Sequence, residues 1–125
     1  MKIVQKIWGH EEWLLNTEMY CGKILTLKPG FECSYHYHKE KDEGFYVLRG
    51  MVYLMLEGED RILHSGEVQR ILPGQRHKFA SLEGVSKMIE FSTHHEDSDS
   101  YRETESQAIN LNKLRERLGL KRLGR

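Results

Sequence analysis

Apolar and polar positions alternate along this chain in short runs, and Gly- or Pro-bearing turns separate the runs at intervals of about 8 to 12 residues. Residues 3–16 (IVQKIWGHEEWLLN) predict one or two strands crossed by a bend at Gly9, and CGKILTLKPG predicts a strand ending at Pro29-Gly30. MVYLMLEG, residues 51–58, is apolar without alternation, as a strand buried on both faces would be. RILHS and VSKMIEFS complete the strand-like series, and GEVQRILPGQRHKFASLEG between them alternates strand and turn signals. Many short strands with glycine turns predict an all-β barrel or sandwich.

The pattern changes after Phe91. Residues 94–107 are polar and acidic and predict a solvated loop or a lid. Beyond them, Leu111, Leu114 and Leu118 fall at helical spacing behind Asn110, a residue suited to cap a helix. The expected organisation is therefore a β domain over residues 1–105 and a basic amphipathic helix or tail over 106–125.

GFECSYHYHKEKDEGFYVLRG, residues 30–50, is where the chemistry concentrates. In an extended strand, residues two apart share a face, so His36 and His38 project together, with Ser34 and Glu32 on the same side and Cys33, Tyr35 and Tyr37 opposite. The polar run 39–42 predicts a turn, after which Glu43 opens a returning strand. Two imidazoles and a carboxylate make a ligand set for a divalent ion such as zinc, iron, manganese or nickel. His77, after the Pro73-Gly74 turn, is a fourth candidate. His64 has no partner at ligand spacing, and the adjacent His94 and His95 point apart in a strand, so none of these is expected to bind metal.

The spacing Gly30-x5-His36-x-His38-x4-Glu43-x6-Gly50 resembles the first cupin motif, and Gly66-x7-Gly74-x2-His77 is similar to the second. Leu72 and Ser81 stand where that second motif usually has proline and asparagine. The resemblance implies a small antiparallel β-barrel or jelly roll holding one divalent metal (manganese, iron, zinc, nickel or cobalt) through His36, His38, Glu43 and His77. Trp8-Gly9-x-Glu11-x-Trp13, Gly22-Lys23-Ile24-Leu25, and Glu90-x-Ser92-Thr93 with Asp97 and Arg102 narrow the resemblance. They are similar in order to the type II mannose-6-phosphate isomerase-like cupins, although His36 stands where bacterial members usually have glutamine.

That likeness implies a sugar or sugar phosphate as substrate and aldose–ketose isomerisation as the reaction. Such chemistry needs a general base within reach of the moving proton; Glu43, Glu32 and Glu11 are the candidates, with Lys23 beside them. Trp8 and Trp13 are either core anchors or platforms for a sugar ring, and Lys23 or Arg102 is placed to hold a phosphate. A non-catalytic sugar-binding or regulatory cupin and an iron-dependent dioxygenase are the alternatives.

Charge and composition exclude more than they add. Basic and acidic residues number 19 each, so no global field calls for nucleic acid or an anionic membrane. No apolar run approaches the roughly 20 residues of a membrane-spanning helix. The first residues lack the apolar core of a secretion signal, and Cys21 and Cys33 do not make a disulfide framework, so a cytoplasmic protein with reduced thiols is expected. A homodimer is expected, because exposed strand edges need covering.

Overall fold

A computed structural model describes residues 1–124. The chain runs through β1 (Lys2–Lys6), β2 (Gly9–Asn16), β3 (Cys21–Leu27), β4 (Phe31–Glu32) and β5 (His36–Tyr37). Next come β6 (Glu43–Arg49), β7 (Met51–Leu56), β8 (Glu59–His64) and β9 (Val68–Ile71). β10 (His77–Ser81), β11 (Ser86–Ser92) and the short β12 (Tyr101–Arg102) and β13 (Gln107–Ala108) precede one helix, α1 (Leu111–Arg117). All described pairings are antiparallel.

Two sheets result, one in the order β1-β2-β3-β11-β6-β9 and the other β12-β5-β10-β4-β13, with β7 and β8 continuing the second from β10. Alternation sends one side chain of each pair inward, and Leu25, Leu27, Phe45, Val47, Val52, Leu54, Phe79 and Met88 fill the space between the sheets. β7 is buried on both faces, as its apolar run predicts. Val52, Leu54 and Leu56 enter this core, whereas Tyr53 joins a second cluster with Ala80 and Leu82 on the outside of its sheet.

The C-terminal segment covers that second cluster with Ile109, Leu111, Leu114, Leu118 and Leu120. Asn110 caps the helix by accepting the Lys113 amide at 3.0 Å. Arg115 is buried and donates to the carbonyls of Leu82 at 2.7 Å and Lys121 at 2.8 Å, so a charged residue pins the helix to the sheet. Among the described residues, no helix is long and apolar enough to cross a membrane.

The expected strand through residues 30–38 is broken. Residues 33–35 leave the ladder between β4 and β5, and the inside–outside alternation shifts phase there. Cys33 turns into the core, whereas Glu32 points outward and pairs with Lys78 at 3.0 Å and Gln107 at 2.7 Å. Glu32 therefore does not share a face with His36, contrary to simple alternation.

Gly50 turns the chain from β6 into β7 with φ +99°, and a Cβ there would lie 2.9 Å from the Ser86 Cα. Gly50→Ala is expected to cost about 2–4 kcal/mol through left-handed strain and the backbone clash, read as a lowered urea midpoint.

Candidate metal centre

Three histidines from two separate stretches meet at one point. His36 and His38 are carried at and just past β5, His77 begins β10, and the β5–β10 register places His36 directly opposite His77. One potential ligand atom from each lies within 4.8 Å of the other two, an arrangement that could hold a metal ion. Glu43, the first residue of β6, approaches two of the three from the other sheet. Its Oε2 lies 3.2 Å from His38 Nε2 and 3.1 Å from His77 Nε2.

Hydrogen bonding fixes the tautomers. His36 Nδ1 lies 2.7 Å from the Ser34 carbonyl, His77 Nδ1 2.9 Å from that of Gln75, and His38 Nδ1 3.0 Å from that of Asp99. A carbonyl only accepts, so each Nδ1 carries the proton and each Nε2 keeps a bare lone pair. The 3.1 Å approach of His77 Nε2 to Glu43 Oε2 therefore sets two acceptors against each other, and both atoms are buried without a hydrogen-bond partner. A cation satisfies all of them at once, and imidazoles whose outer nitrogens are tied down are the usual arrangement around a bound metal. The residues fit a divalent ion.

A cavity of about 710 Å³ opens beside this cluster. Its deeper wall carries ion pairs that hydrophobic patterning did not foresee. Lys41 is buried, with its ammonium 2.9 Å from His95 Nδ1, 3.0 Å from Glu90 Oε2 and 3.5 Å from Glu43 Oε1. Burial opposes that charge, but Glu90 and then Glu43 outweigh it and raise the Lys41 pKa. His95 accepts from Lys41 and donates through Nε2 to Asp97 at 2.8 Å, so it offers no free lone pair. His94 turns the other way, to the Thr17 carbonyl and Glu96, and the two adjacent histidines do point apart. His64 is exposed and paired with Glu67.

The remaining sequence candidates take distinct places. Glu11 lines the cavity, where its Oε1 accepts from Trp13 Nε1 at 2.7 Å and lies 3.4 Å from the buried Lys23 Nζ. Trp8 is a core residue packed edge-on to Phe79 at 5.0 Å, with part of its surface on the cavity. Trp13 lies on the cavity wall with the ammonium groups of Lys2 and Lys23 over its ring at 4.4 and 4.2 Å. Arg102 is exposed on the cavity side of β12, 4.0 Å from Glu105. Glu32 is outside the cavity.

Cys33, expected opposite the His36 side, instead lines the same cavity. Burial pushes its thiol up to about 12, and the sulfur accepts the Phe79 amide at 3.2 Å. It is not among the ligand atoms that gather at the three histidines. Lys41 and Glu90 had a legible signal, since Lys41 sits two residues before Glu43 and Glu90 is in phase with buried Ser86 and Met88. Asp99 had none, lying in an acidic run.

These features define the class: a double-sheet jelly roll with a His-rich centre between its sheets. The family model described as "Cupin domain" matches residues 23–90, more than half the chain, and the chain belongs to the cupin family. The D-lyxose/D-mannose isomerase of Thermosediminibacter oceani is 32% identical, the match covering 66% of this chain and 61% of that protein. This chain thus spans less than two thirds of that relative's length. Among solved structures, KdgF from Halomonas sp. superposes with a TM-score of 0.67 at 24% identity, covering 71% of this chain and 81% of that one. The capsular polysaccharide assembling protein CapF of Staphylococcus aureus gives 0.69 at 23%, covering 83% and 34%. At these identities the structures speak for the fold alone.

Two outcomes follow for protein stripped of metal. Burial, and then the neighbouring His77, push His36 down to about 3 from its ordinary 6.5, so below 6.5 the unfolded chain binds the extra proton. Burial would raise Glu43, but the Lys41 ammonium beside it holds it well below 4.5. Stability is therefore full above pH 6.5, drains first through His36 and, below 4.5, through Glu43 as well. Urea midpoints between pH 7 and 4 should fall accordingly, with His36→Gln flattening the upper part. Lys41→Met strands two buried carboxylates and should cost about 3–5 kcal/mol in the same assay at pH 7.

Proposed function

We propose that this cupin binds one divalent metal through His36, His38, His77 and Glu43 and acts on an open-chain sugar or sugar phosphate as an aldose–ketose isomerase. The observation that carries the metal is the convergence of bare imidazole nitrogens on the unpartnered Glu43 oxygen. The sugar rests on the likeness to a D-lyxose/D-mannose isomerase and on a cavity lined with polar groups that suit hydroxyls. A divalent ion bound there supplies Lewis acidity to the carbonyl and hydroxyl oxygens that exchange roles in the reaction.

The protein's own groups do the rest. Glu11 accepts Trp13 and Lys23 through the same carboxylate oxygen, Oε1, which leaves Oε2 to take the proton from the carbon next to the carbonyl. Lys23 and Trp13 hold that carboxylate in place, and Lys23 supplies positive charge beside it. Glu43 belongs to the metal, and Lys41 keeps it ionised by lying against its other oxygen. Arg102, exposed at the cavity mouth, is the group we assign to a terminal phosphate.

Protein loaded with manganese, cobalt or nickel should exchange the proton at that carbon with deuterated solvent and interconvert an aldose with its ketose, D-lyxose and D-mannose among the panel, without oxygen. Glu11→Gln should slow exchange by about 100-fold or more while keeping its metal. His36→Ala and His77→Ala should lose the ion, measured by elemental analysis. Sugar binding with no exchange under any metal would overturn the isomerase and leave a binding protein; oxygen uptake by iron-loaded protein would replace it with an oxygenase.

A further inference from the structure

The three imidazoles are not held in the same way. His36 and His77 donate to carbonyls two residues before themselves, so each is oriented by its own strand end. His38 alone relies on a distant segment, donating to the carbonyl of Asp99, 61 positions further along the chain. Asp99 closes the 3-10 turn Asp97–Asp99, which leads into β12.

The carboxylate of the same residue holds the other end of the arrangement. Residues 39–42 join His38 to Glu43 and lie outside any strand, with backbone donors that have no ladder partner. Asp99 Oδ1 accepts the amides of Lys39 at 2.9 Å and Glu40 at 3.3 Å, and Oδ2 those of Glu40 at 3.1 Å and Lys41 at 3.1 Å. Three successive amides thus converge on one anion. The next residue, Asp42, bonds the same segment through Thr93, at 3.1 Å to its hydroxyl and 3.0 Å from its amide. The link between two of the four groups at the centre hangs on residues 93–99.

We propose that Asp99 is a positioning residue of the metal centre, orienting His38 through its carbonyl and holding the loop between His38 and Glu43 through its carboxylate. The proposal rests on the metal reading above. It also makes the segment that carries His95, Asp97 and Arg102 along the cavity wall mechanically continuous with the metal ligands. Outer groups of this kind are typically worth 10–100-fold in metal affinity.

Cobalt(II) affinity, measured by competition with a chromogenic chelator, and the cobalt ligand-field spectrum test it. Asp99→Ala should weaken binding by about 10–100-fold and alter the spectrum. Asp99→Ala keeps the carbonyl and removes only the carboxylate. Its loss should therefore persist when it is added to His36→Gln and shrink severalfold when it is added to His38→Gln, because the carboxylate acts by holding the loop that follows His38. General loosening of the fold would weaken both backgrounds equally, and that result overturns the proposal. So does an Asp99→Ala protein within twofold of wild type with an unchanged spectrum. If Asp99→Ala fails to fold by circular dichroism, Asp99→Asn takes its place in the same comparisons, since its amide still fails to accept three donors. Wild-type protein that binds no cobalt overturns the metal reading and this inference together; wild-type binding with Asp99 indifferent overturns this inference alone.

Discussion

Lone pairs with no proton between them are the constraint on which this molecule depends. Every imidazole at the centre directs its proton outward to a backbone carbonyl, which leaves the inward nitrogens and a carboxylate oxygen crowded together away from water. A buried acceptor without a donor is costly, and here two, His77 Nε2 and Glu43 Oε2, share one place. The fold assembles this conflict from both sheets, with β5 and β10 on one side and β6 on the other. Such a site could hold a metal ion.

The same cavity resolves its other charges internally. Lys41 meets Glu43 and Glu90, Lys23 meets Glu11, and both lysines are almost fully withdrawn from solvent. Pairs of this kind add little net stability, because desolvation of both partners offsets their attraction. They give the cavity a polar wall inside an otherwise apolar barrel. Apolar packing holds the sheets together, and these pairs line the space left between them on one side.

Much of this was legible from the residues, for reasons that are physical. Alternation and glycine spacing identify the strands, and the unbroken apolar run of β7 foretells a strand covered on both faces. The helix at Leu111–Arg117 follows from leucine spacing and the Asn110 cap. Alternation fails at residues 33–35, where the chain leaves its ladder; Glu32 then turns out and Cys33 turns in. A phase slip of that kind leaves no mark in hydropathy. Asp99 was illegible for a different reason: an acidic residue in a polar run reads as solvated, and only tertiary structure supplies the three amides that it accepts.

Cys33 has a chemical consequence for the centre it adjoins. Its sulfur sits on the cavity wall and accepts the Phe79 amide, and it is not among the ligand atoms that gather at the three histidines. The donors left at the centre are thus nitrogen and oxygen only. Thiophilic ions such as copper(I), which draw their grip from thiolates, find none at the centre, and borderline cations are left to compete on geometry and abundance.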